Sequence, residues 1–197
     1  MKDPITRIAV FASGSGTNAE NIINYFSQVQ GMEVSLVLSN NPAAYVLERA
    51  KRLGVPAACF TKDDIYSKDH LLDRLRQAHI DFIVLAGFLW LVPEKLIHAY
   101  PGRILNIHPA LLPKYGGKGM YGEKVHRAVK EAGEKETGIT IHYINERYDE
   151  GHILKQVRCK IDPEDDTDTI ADKVHKLEYE YYPRVIESVI NNYHKNL

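Results

Sequence analysis

The chain has 197 residues, of which 44% are hydrophobic and 26% are charged, a composition typical of one folded domain with a sizeable core. Lys and Arg number 25 against 26 Asp and Glu, and the resulting net charge of -1 argues against general binding to nucleic acids or membrane surfaces, which needs a basic excess. The two cysteines, Cys59 and Cys159, form no CxxC pair. We therefore expect neither a disulfide framework nor a metal site.

The first apolar run, residues 8–12, is too short for the hydrophobic region of a signal peptide followed by a cleavage site. No other run reaches the length needed to span a membrane. These two observations predict a cytoplasmic protein.

Apolar runs alternate with amphipathic stretches along the chain. Apolar runs predict strands at residues 7–12, 34–39, 57–60, 82–86, 104–108 and 140–144. The run at 82–86 is continuously apolar, which is typical of a parallel strand covered on both faces. Helical spacing predicts a first helix bearing Ala19, Ile22, Ile23 and Phe26, then helices at 43–53, 68–79 and 167–193, the last open to a kink at Pro183. This alternation predicts an α/β fold: a Rossmann-like, mostly parallel open sheet with helices on both faces. Without a linker or an internal repeat, we expect a single domain over 1–197.

A glycine-rich turn lies between the first strand and the first helix, at Ser13, Gly14, Ser15, Gly16, Thr17 and Asn18. Backbone amides at a helix start attract anions, and glycines let the backbone approach a ligand closely, so the turn favours a phosphate. A tight turn without a ligand is the alternative. A dinucleotide fits less well, because the second strand ends in Ser39, Asn40 and Asn41 without the carboxylate that would hold a ribose.

Two polar residues, Asn106 and His108, lie two positions apart at the end of the predicted strand 104–108. Side chains at this spacing share one side of a strand, and the carboxyl ends of strands carry the ligands of open α/β sheets. Asn supplies a neutral donor for a developing oxyanion, and His transfers protons near neutral pH. A purely structural histidine is the alternative at this point.

The surrounding segments resemble the folate-dependent formyltransferases. The resemblance begins with the glycine-rich turn and continues through Leu85-Ala86-Gly87-Phe88, the run NIHPALLPKY at 106–115, His142-Tyr143-Ile144 and Tyr148-Asp149-Glu150-Gly151. These segments occur in the family's order over nearly the whole chain. The resemblance implies the family's α/β fold, with a phosphate-binding half at about 1–100 and a folate-binding, catalytic half at about 101–197.

The resemblance also implies the reaction. The amino group of glycinamide ribonucleotide attacks the formyl carbon of 10-formyltetrahydrofolate, the co-substrate, and both partners are small molecules. Asn106 and His108 would stabilise the oxyanion of the tetrahedral intermediate. Asp149 would orient His108 and favour its protonated form, since a nearby carboxylate raises the pKa of a histidine. The proton would pass through His108 or an ordered water.

The family's binding residues map less directly. The residues that would hold the ribonucleotide are Gly14, Ser15, Gly16, Thr17 and Asn18 for the phosphate, and His175, Lys176, Leu177 and Glu178 for the ribose. The residues that would contact the folate are Leu89, Trp90, Leu91, Val92, Asn106, Asn145, Glu146, Arg147, Tyr148 and Asp149. A solvated helix charge is the alternative for Glu178.

Several positions depart from the family pattern. Leu89 and Trp90 stand where relatives often have Met-Arg, and Lys62 is the nearest candidate for the family's basic contact. The loop 115–122 is richer in glycine than its counterpart. His142 is expected either to face the pocket or to pack within the sheet. A cluster of tyrosines on the last helix leaves both a monomer and a homodimer open.

Two other classes of function remain as alternatives. One is a relative with the same three polar residues and another acceptor, either a methionyl-tRNA formyltransferase or a formyltetrahydrofolate deformylase. We expect neither, since no basic segment follows Tyr193 and the chain starts directly at the first strand. The other is a non-catalytic nucleotide-binding module, which would explain Gly14 and Gly16 but not Asn106, His108 and Asp149.

Overall fold

The computed structural model describes residues 5–195, which fall into two compact units. The first unit ends at Ile104, and the second begins at Leu105. Each unit has its own strands, helices and buried apolar residues.

The first unit alternates strands and helices. Its elements are β1 (Thr6–Phe11), α1 (Thr17–Phe26), β2 (Met32–Ser39), α2 (Val46–Arg52), β3 (Ala57–Cys59), a π-helical turn (Asp63–Ser67), α3 (His70–Gln77), β4 (Phe82–Leu85) and α4 (Glu94–Ala99). The strands are parallel, in the order β3-β2-β1-β4. Most residues of β1 and all residues of β4 are buried, as continuous apolar runs predict for strands covered on both faces.

The second unit combines three strands with two helices. Its elements are β5 (Ile104–His108), which starts at the unit boundary, α5 (Glu123–Glu131), β6 (Glu136–Tyr143), β7 (Ile153–Lys160) and α6 (Thr167–Lys195). The strand β6 pairs antiparallel with both β5 and β7. The helix α6 contributes Ile170, Val174, Tyr182, Ile186 and Ile190, all fully buried, to the core of this unit.

The predicted α/β fold class with a mostly parallel sheet is confirmed. The strand predictions correspond to β1–β6, and the predicted long helix corresponds to α6, within which Pro183 lies. Four elements were not predicted, namely the π-helical turn, α4, α5 and β7. The strand β7 has no continuous apolar run, because its exposed and half-buried residues largely alternate.

Two predicted helices are shorter in the structure. The helix expected at 43–53 begins at Val46, because the Asn41 side chain accepts the N–H of Ala43 at 3.0 Å and turns the chain there. The helix expected at 68–79 begins at His70, because Lys68 is extended, and it stops before His79, whose φ is +51°.

Among residues 5–195, no helix combines the length and the apolar character needed to cross a membrane. Within the same range, no group of three or more His, Cys, Asp or Glu side chains is arranged to hold a metal ion.

Candidate active site

The glycine-rich turn of the first unit depends on the conformation of Gly16. This residue precedes α1 in the left-handed region, with φ +76°, and a Cβ at this position would lie 2.4 Å from the Cβ of Val46. The carbonyl of Gly14 accepts the N–H of Val46 at 3.2 Å, so the turn packs closely against the start of α2. Glycine is therefore required at position 16 for both conformation and space.

The Ser13 side chain fastens this turn within the first unit. Its hydroxyl donates to Oδ1 of Asn40 at 2.6 Å and accepts the N–H of Leu89 at 3.0 Å. One hydroxyl thus joins the ends of three chain segments that follow β1, β2 and β4. This arrangement places the turn at the carboxyl ends of parallel strands, where α/β folds bind ligands.

The structure brings a basic residue to this turn that the sequence reasoning missed. Arg49, on α2, donates from Nε to the carbonyl of Ser15 at 2.8 Å, and its guanidinium forms an ion pair with Glu20 of α1. The helical position of Arg49, three residues after Val46, becomes informative only once the contact between α2 and the turn is known.

Lys62 instead lies beside the segment 89–92. Its Nζ is 5.6 Å from the ring centroid of Trp90, a cation–π arrangement. Trp90 also contacts the rings of Phe60 and Tyr66, and the Tyr66 hydroxyl donates to the carbonyl of Leu91 at 2.8 Å.

The predicted folate-contacting side chains of this segment differ in exposure. Leu89 is exposed and Trp90 is half-buried, so both side chains are accessible. Val92, in contrast, is buried in the core of the first unit and can offer a ligand only its backbone.

In the second unit, strand pairing places the polar residues of β5 and β6 side by side. Asn106 pairs with His142 and His108 pairs with Thr140, as successive partners on one side of the antiparallel pair. Nδ2 of Asn106 lies 3.1 Å from Nε2 of His142. Asn106 and His108 therefore lie on the same side of β5, as their spacing of two predicts.

Asp149 reaches the same cluster from the loop after β6. Its Oδ2 lies 3.5 Å from Nδ1 of His108 and accepts the N–H of Gly117 at 2.9 Å, and its Oδ1 lies 3.7 Å from Nε2 of His142. Asp149 has a φ of +57°, which is uncommon for a non-glycine residue. Such strained positions are typical of functional sites. Asn106, His108 and Asp149 thus come together, and His142 lies among them.

The loop that carries Asp149 requires a glycine nearby. A Cβ at Gly151 would lie 1.7 Å from the carbonyl oxygen of Tyr143, a contact that the backbone cannot accommodate. The chain therefore returns close to the end of β6, and this close approach fixes the position of the Asp149 backbone.

The His108 imidazole has protein partners at both nitrogens. Nε2 lies 2.7 Å from the carbonyl oxygen of Tyr115, and Nδ1 faces Asp149. Burial lowers the pKa of His108 below its usual value, although Asp149 and the Tyr115 carbonyl act in the opposite direction. The expectation based on Asp149 alone was a raised pKa, so burial reverses the predicted direction.

The tautomer of His142 follows from its contacts. Nδ1 lies 2.8 Å from the carbonyl oxygen of Tyr143, which can only accept, so Nδ1 carries the hydrogen. Burial lowers the pKa of His142, which favours the neutral ring with Nε2 as an acceptor. The Asn106 amide therefore donates one N–H to His142, which fixes the orientation of the amide. Of the two alternatives for His142, the structure favours a position within the cluster.

Thr140 is a supporting residue that the sequence did not reveal. Its buried hydroxyl donates to the carbonyl of Ala110 at 2.7 Å and accepts the N–H of Leu112 at 3.0 Å. The Gln156 amide, on β7, donates to both the Thr140 hydroxyl and the Leu112 carbonyl. These bonds fasten the segment directly after His108 to β6 and β7.

The other predicted binding residues of the second unit lie on α6 and in the loop after β6. Glu178 is 5% exposed and its carboxylate lies 4.0 Å from Nε2 of His175, so the alternative of a solvated helix charge is wrong. Lys176 is exposed and Leu177 is half-buried. In the loop, Asn145 and Tyr148 are half-buried, and the exposed Glu146 and Arg147 lie at the surface.

On this α/β fold, the glycine-rich turn and the Asn106, His108 and Asp149 cluster are the features on which the resemblance to the formyltransferases rests, and the comparison with known families agrees. Residues 6–186 match the formyl transferase family, and the chain belongs to it.

Several similar proteins are described as phosphoribosylglycinamide formyltransferases. The chain is 42% identical to the chloroplastic phosphoribosylglycinamide formyltransferase of Arabidopsis thaliana, over 93% of this chain and 65% of that protein. It is 35% identical to the phosphoribosylglycinamide formyltransferase of Bacillus subtilis, over 93% of this chain and 94% of that protein. The crystal structure of the corresponding Anaplasma phagocytophilum protein superposes with a TM-score of 0.86 and 30% identity, and covers 95% of this chain and 88% of that one.

Proposed function

We propose that this chain transfers the formyl group of 10-formyltetrahydrofolate to the amino group of glycinamide ribonucleotide. The proposal is supported by relatives that are named phosphoribosylglycinamide formyltransferase. The products are formylglycinamide ribonucleotide and tetrahydrofolate. The observation that carries the proposal is the convergence of the half-buried Asn106 and Asp149 on the buried His108, with Nδ1 of His108 3.5 Å from the Asp149 carboxylate. The proposal includes a cytoplasmic location, a monomer or homodimer, and no metal ion.

The chemistry requires an oxyanion donor and a group that moves a proton. One N–H of Asn106 goes to His142, and its second N–H donates to the oxygen of the tetrahedral intermediate. The amine nitrogen bonds to the formyl carbon and gives up a proton, the bond from that carbon to folate N10 breaks, and N10 takes up a proton. The lowered pKa keeps His108 neutral before attack, so that it accepts the amine proton. Asp149 stabilises the resulting imidazolium.

The remaining residues bind the two substrates in this proposal. The backbone amides of residues 14–18 hold the ribonucleotide phosphate, and Glu178 accepts hydrogen bonds from the ribose hydroxyls. Leu89, Trp90 and the loop at 145–149 contact the folate, and Lys62 beside Trp90 supplies a positive charge for its acidic tail.

One assay tests the proposal against its alternatives. The purified chain is incubated with 10-formyltetrahydrofolate, with and without glycinamide ribonucleotide, while release of tetrahydrofolate is followed. We expect release that depends on the ribonucleotide. Release without an acceptor would indicate a deformylase instead. No release of tetrahydrofolate in either condition would contradict the proposal and favour a binding module.

A further inference from the structure

The backbone of Tyr115 determines which nitrogen of His108 is available for proton transfer. The Tyr115 carbonyl lies 2.7 Å from Nε2 of His108, in a segment where Tyr115 has a φ of +57°. A carbonyl oxygen can only accept, so Nε2 carries a hydrogen whether the ring is neutral or charged. In the neutral ring, the lone pair is therefore on Nδ1, the nitrogen that faces Asp149.

The side chain of Tyr115 anchors this backbone position. Its hydroxyl donates to Oε1 of Glu134 at 2.9 Å, and Nζ of Lys114 donates to the same oxygen at 2.7 Å. The tyrosine ring packs against the buried side chains of Ala110, Val125 and Val129.

The protonation states of this anchor are well defined. Hydrogen bonds from Lys114 and from Tyr115 lower the pKa of Glu134, which keeps its carboxylate ionised. Burial and the nearby Glu134 raise the pKa of Tyr115, which keeps its hydroxyl a donor. The contact is therefore a charge-assisted hydrogen bond, which is stronger than one between neutral groups.

The same short segment also contacts Asp149. The N–H of Gly117 donates to Oδ2 of Asp149 at 2.9 Å, the oxygen that faces Nδ1 of His108. A Cβ at Gly116 would lie 2.5 Å from Cδ2 of Leu112 and 3.4 Å from Cβ of Asp149, so the segment has little room to shift. Residues 115–117 therefore orient both members of the His108–Asp149 pair.

We propose that Tyr115 and Glu134 are positioning residues that commit Nε2 of His108 to the Tyr115 carbonyl, so that Nδ1 is the nitrogen that takes and returns the proton during formyl transfer. The last step rests on the proposed function. The proton leaves the attacking amine, forms a bond to Nδ1 beside the Asp149 carboxylate, and then moves to folate N10. No atom of Tyr115 or Glu134 touches the reacting groups in this scheme.

Charged and titratable groups face His108 from every element near it. Asp149, in the loop after β6, raises the pKa of His108. A positive charge on His142 of β6 or on His126 of α5 would repel a positive charge on His108. Because His126 and His142 are both driven towards the neutral form by burial, Asp149 is the dominant charge near Nδ1.

The first test measures the His108 tautomer in the free protein by nitrogen NMR of the imidazole, so it needs no substrate. In the wild-type chain we expect a neutral His108 with hydrogen on Nε2. Tyr115→Phe removes only the hydroxyl that contacts Glu134, and we expect a mixture of the two tautomers. Glu134→Gln retains an acceptor oxygen and should preserve the wild-type tautomer, whereas Glu134→Leu should resemble Tyr115→Phe. Tyr121→Phe, at an exposed tyrosine of the same loop, is the matched control.

The second test compares kinetics. We expect Tyr115→Phe and Glu134→Leu to lower kcat about tenfold, which is the effect of one hydrogen bond. Both variants should also shift the acidic limb of the pH profile of kcat, and KM for both substrates should change little. Glu134→Gln should restore most of the rate. The inference is overturned by a wild-type Nδ1–H tautomer, or by a Tyr115→Phe variant with an unchanged tautomer and pH profile. Absence of formyl transfer by the wild-type chain would refute the proposed function instead, and the tautomer result would stand without it.

Discussion

The glycine-rich turn of the first unit and the polar cluster of the second differ in the groups that they present to a ligand. The turn presents backbone groups. Position 16 has a φ of +76° and lies against Val46, so only glycine fits there without strain. The cluster presents side chains, and its requirement is that Asn106 and Asp149 lie beside the buried His108 and His142 with matched contacts. In the proposed function, the turn binds an anion through its backbone and tolerates side-chain variation, whereas proton transfer in the cluster depends on each side chain.

The largest expected effect is the loss of Asn106 from the cluster. Asn106→Ala removes the amide that donates to the oxyanion in the proposed mechanism, and kcat should fall by about 100- to 1000-fold, or roughly 3–4 kcal/mol in the activation barrier. The variant should keep its fold, as judged by circular dichroism, because Asn106 is only half-buried. Asn191→Ala, at an exposed position on α6, is the control and should retain the wild-type rate. A wild-type kcat for Asn106→Ala would remove Asn106 from the mechanism.

The next effect concerns stability near the cluster. Burial, assisted by repulsion from His175 and His108, lowers the pKa of His126 to about 4. The unfolded chain binds a proton at His126 as the pH falls below about 6.5, whereas the folded chain does so only near pH 4, so folding stability is lost across this window.

The corresponding measurement is the free energy of unfolding in urea at pH 7 and pH 4. His126 should account for up to about 3 kcal/mol of the decrease. His126→Leu removes the titrating group at similar volume and should flatten the pH dependence by this amount. His98→Gln, at an exposed histidine, should leave the dependence unchanged. An identical decrease in wild type and His126→Leu would show that His126 titrates normally.

The smallest expected effect tests the backbone requirement of the turn. Gly16→Ala places a Cβ against Val46 at a left-handed φ and should lower the free energy of unfolding by about 2 kcal/mol. At Gly14 an added Cβ meets no atom within 4 Å, so Gly14→Ala should cost less than about 0.5 kcal/mol. Urea unfolding of both variants gives the comparison. Equal losses would mean that the turn does not depend on the conformation of Gly16.

Sequence reasoning was most effective where the relevant signal is local. The spacing of two between Asn106 and His108 predicts a shared side of one strand, and the pairing of β5 with β6 has them on that side. The link to Asp149 came from family resemblance, since no periodicity connects positions 41 residues apart. The burial of Glu178 depends on tertiary packing of α6, and a single helix pattern does not determine it.

Other contacts could not be predicted because they depend on irregular backbone. The carbonyl of Tyr115 reaches His108 only because Tyr115 adopts φ +57°, a conformation that tyrosine rarely takes. The pKa of His108 shows a similar limit, since its carboxylate partner was foreseen but the extent of its burial was not. Arg49 contacts the turn through the packing of α2, which sequence spacing does not specify.

The most direct test of the central claim is a double-mutant cycle on kcat with His108→Ala, Asp149→Ala and the combined variant, each checked for an unchanged fold. If the two residues act as one proton-transferring unit, kcat of each single variant falls at least about 100-fold. The kcat of the double variant then falls no further than that of the less active single variant. Near-normal turnover in either single variant, or losses that multiply in the double variant, would contradict a joint role for the imidazole and the carboxylate.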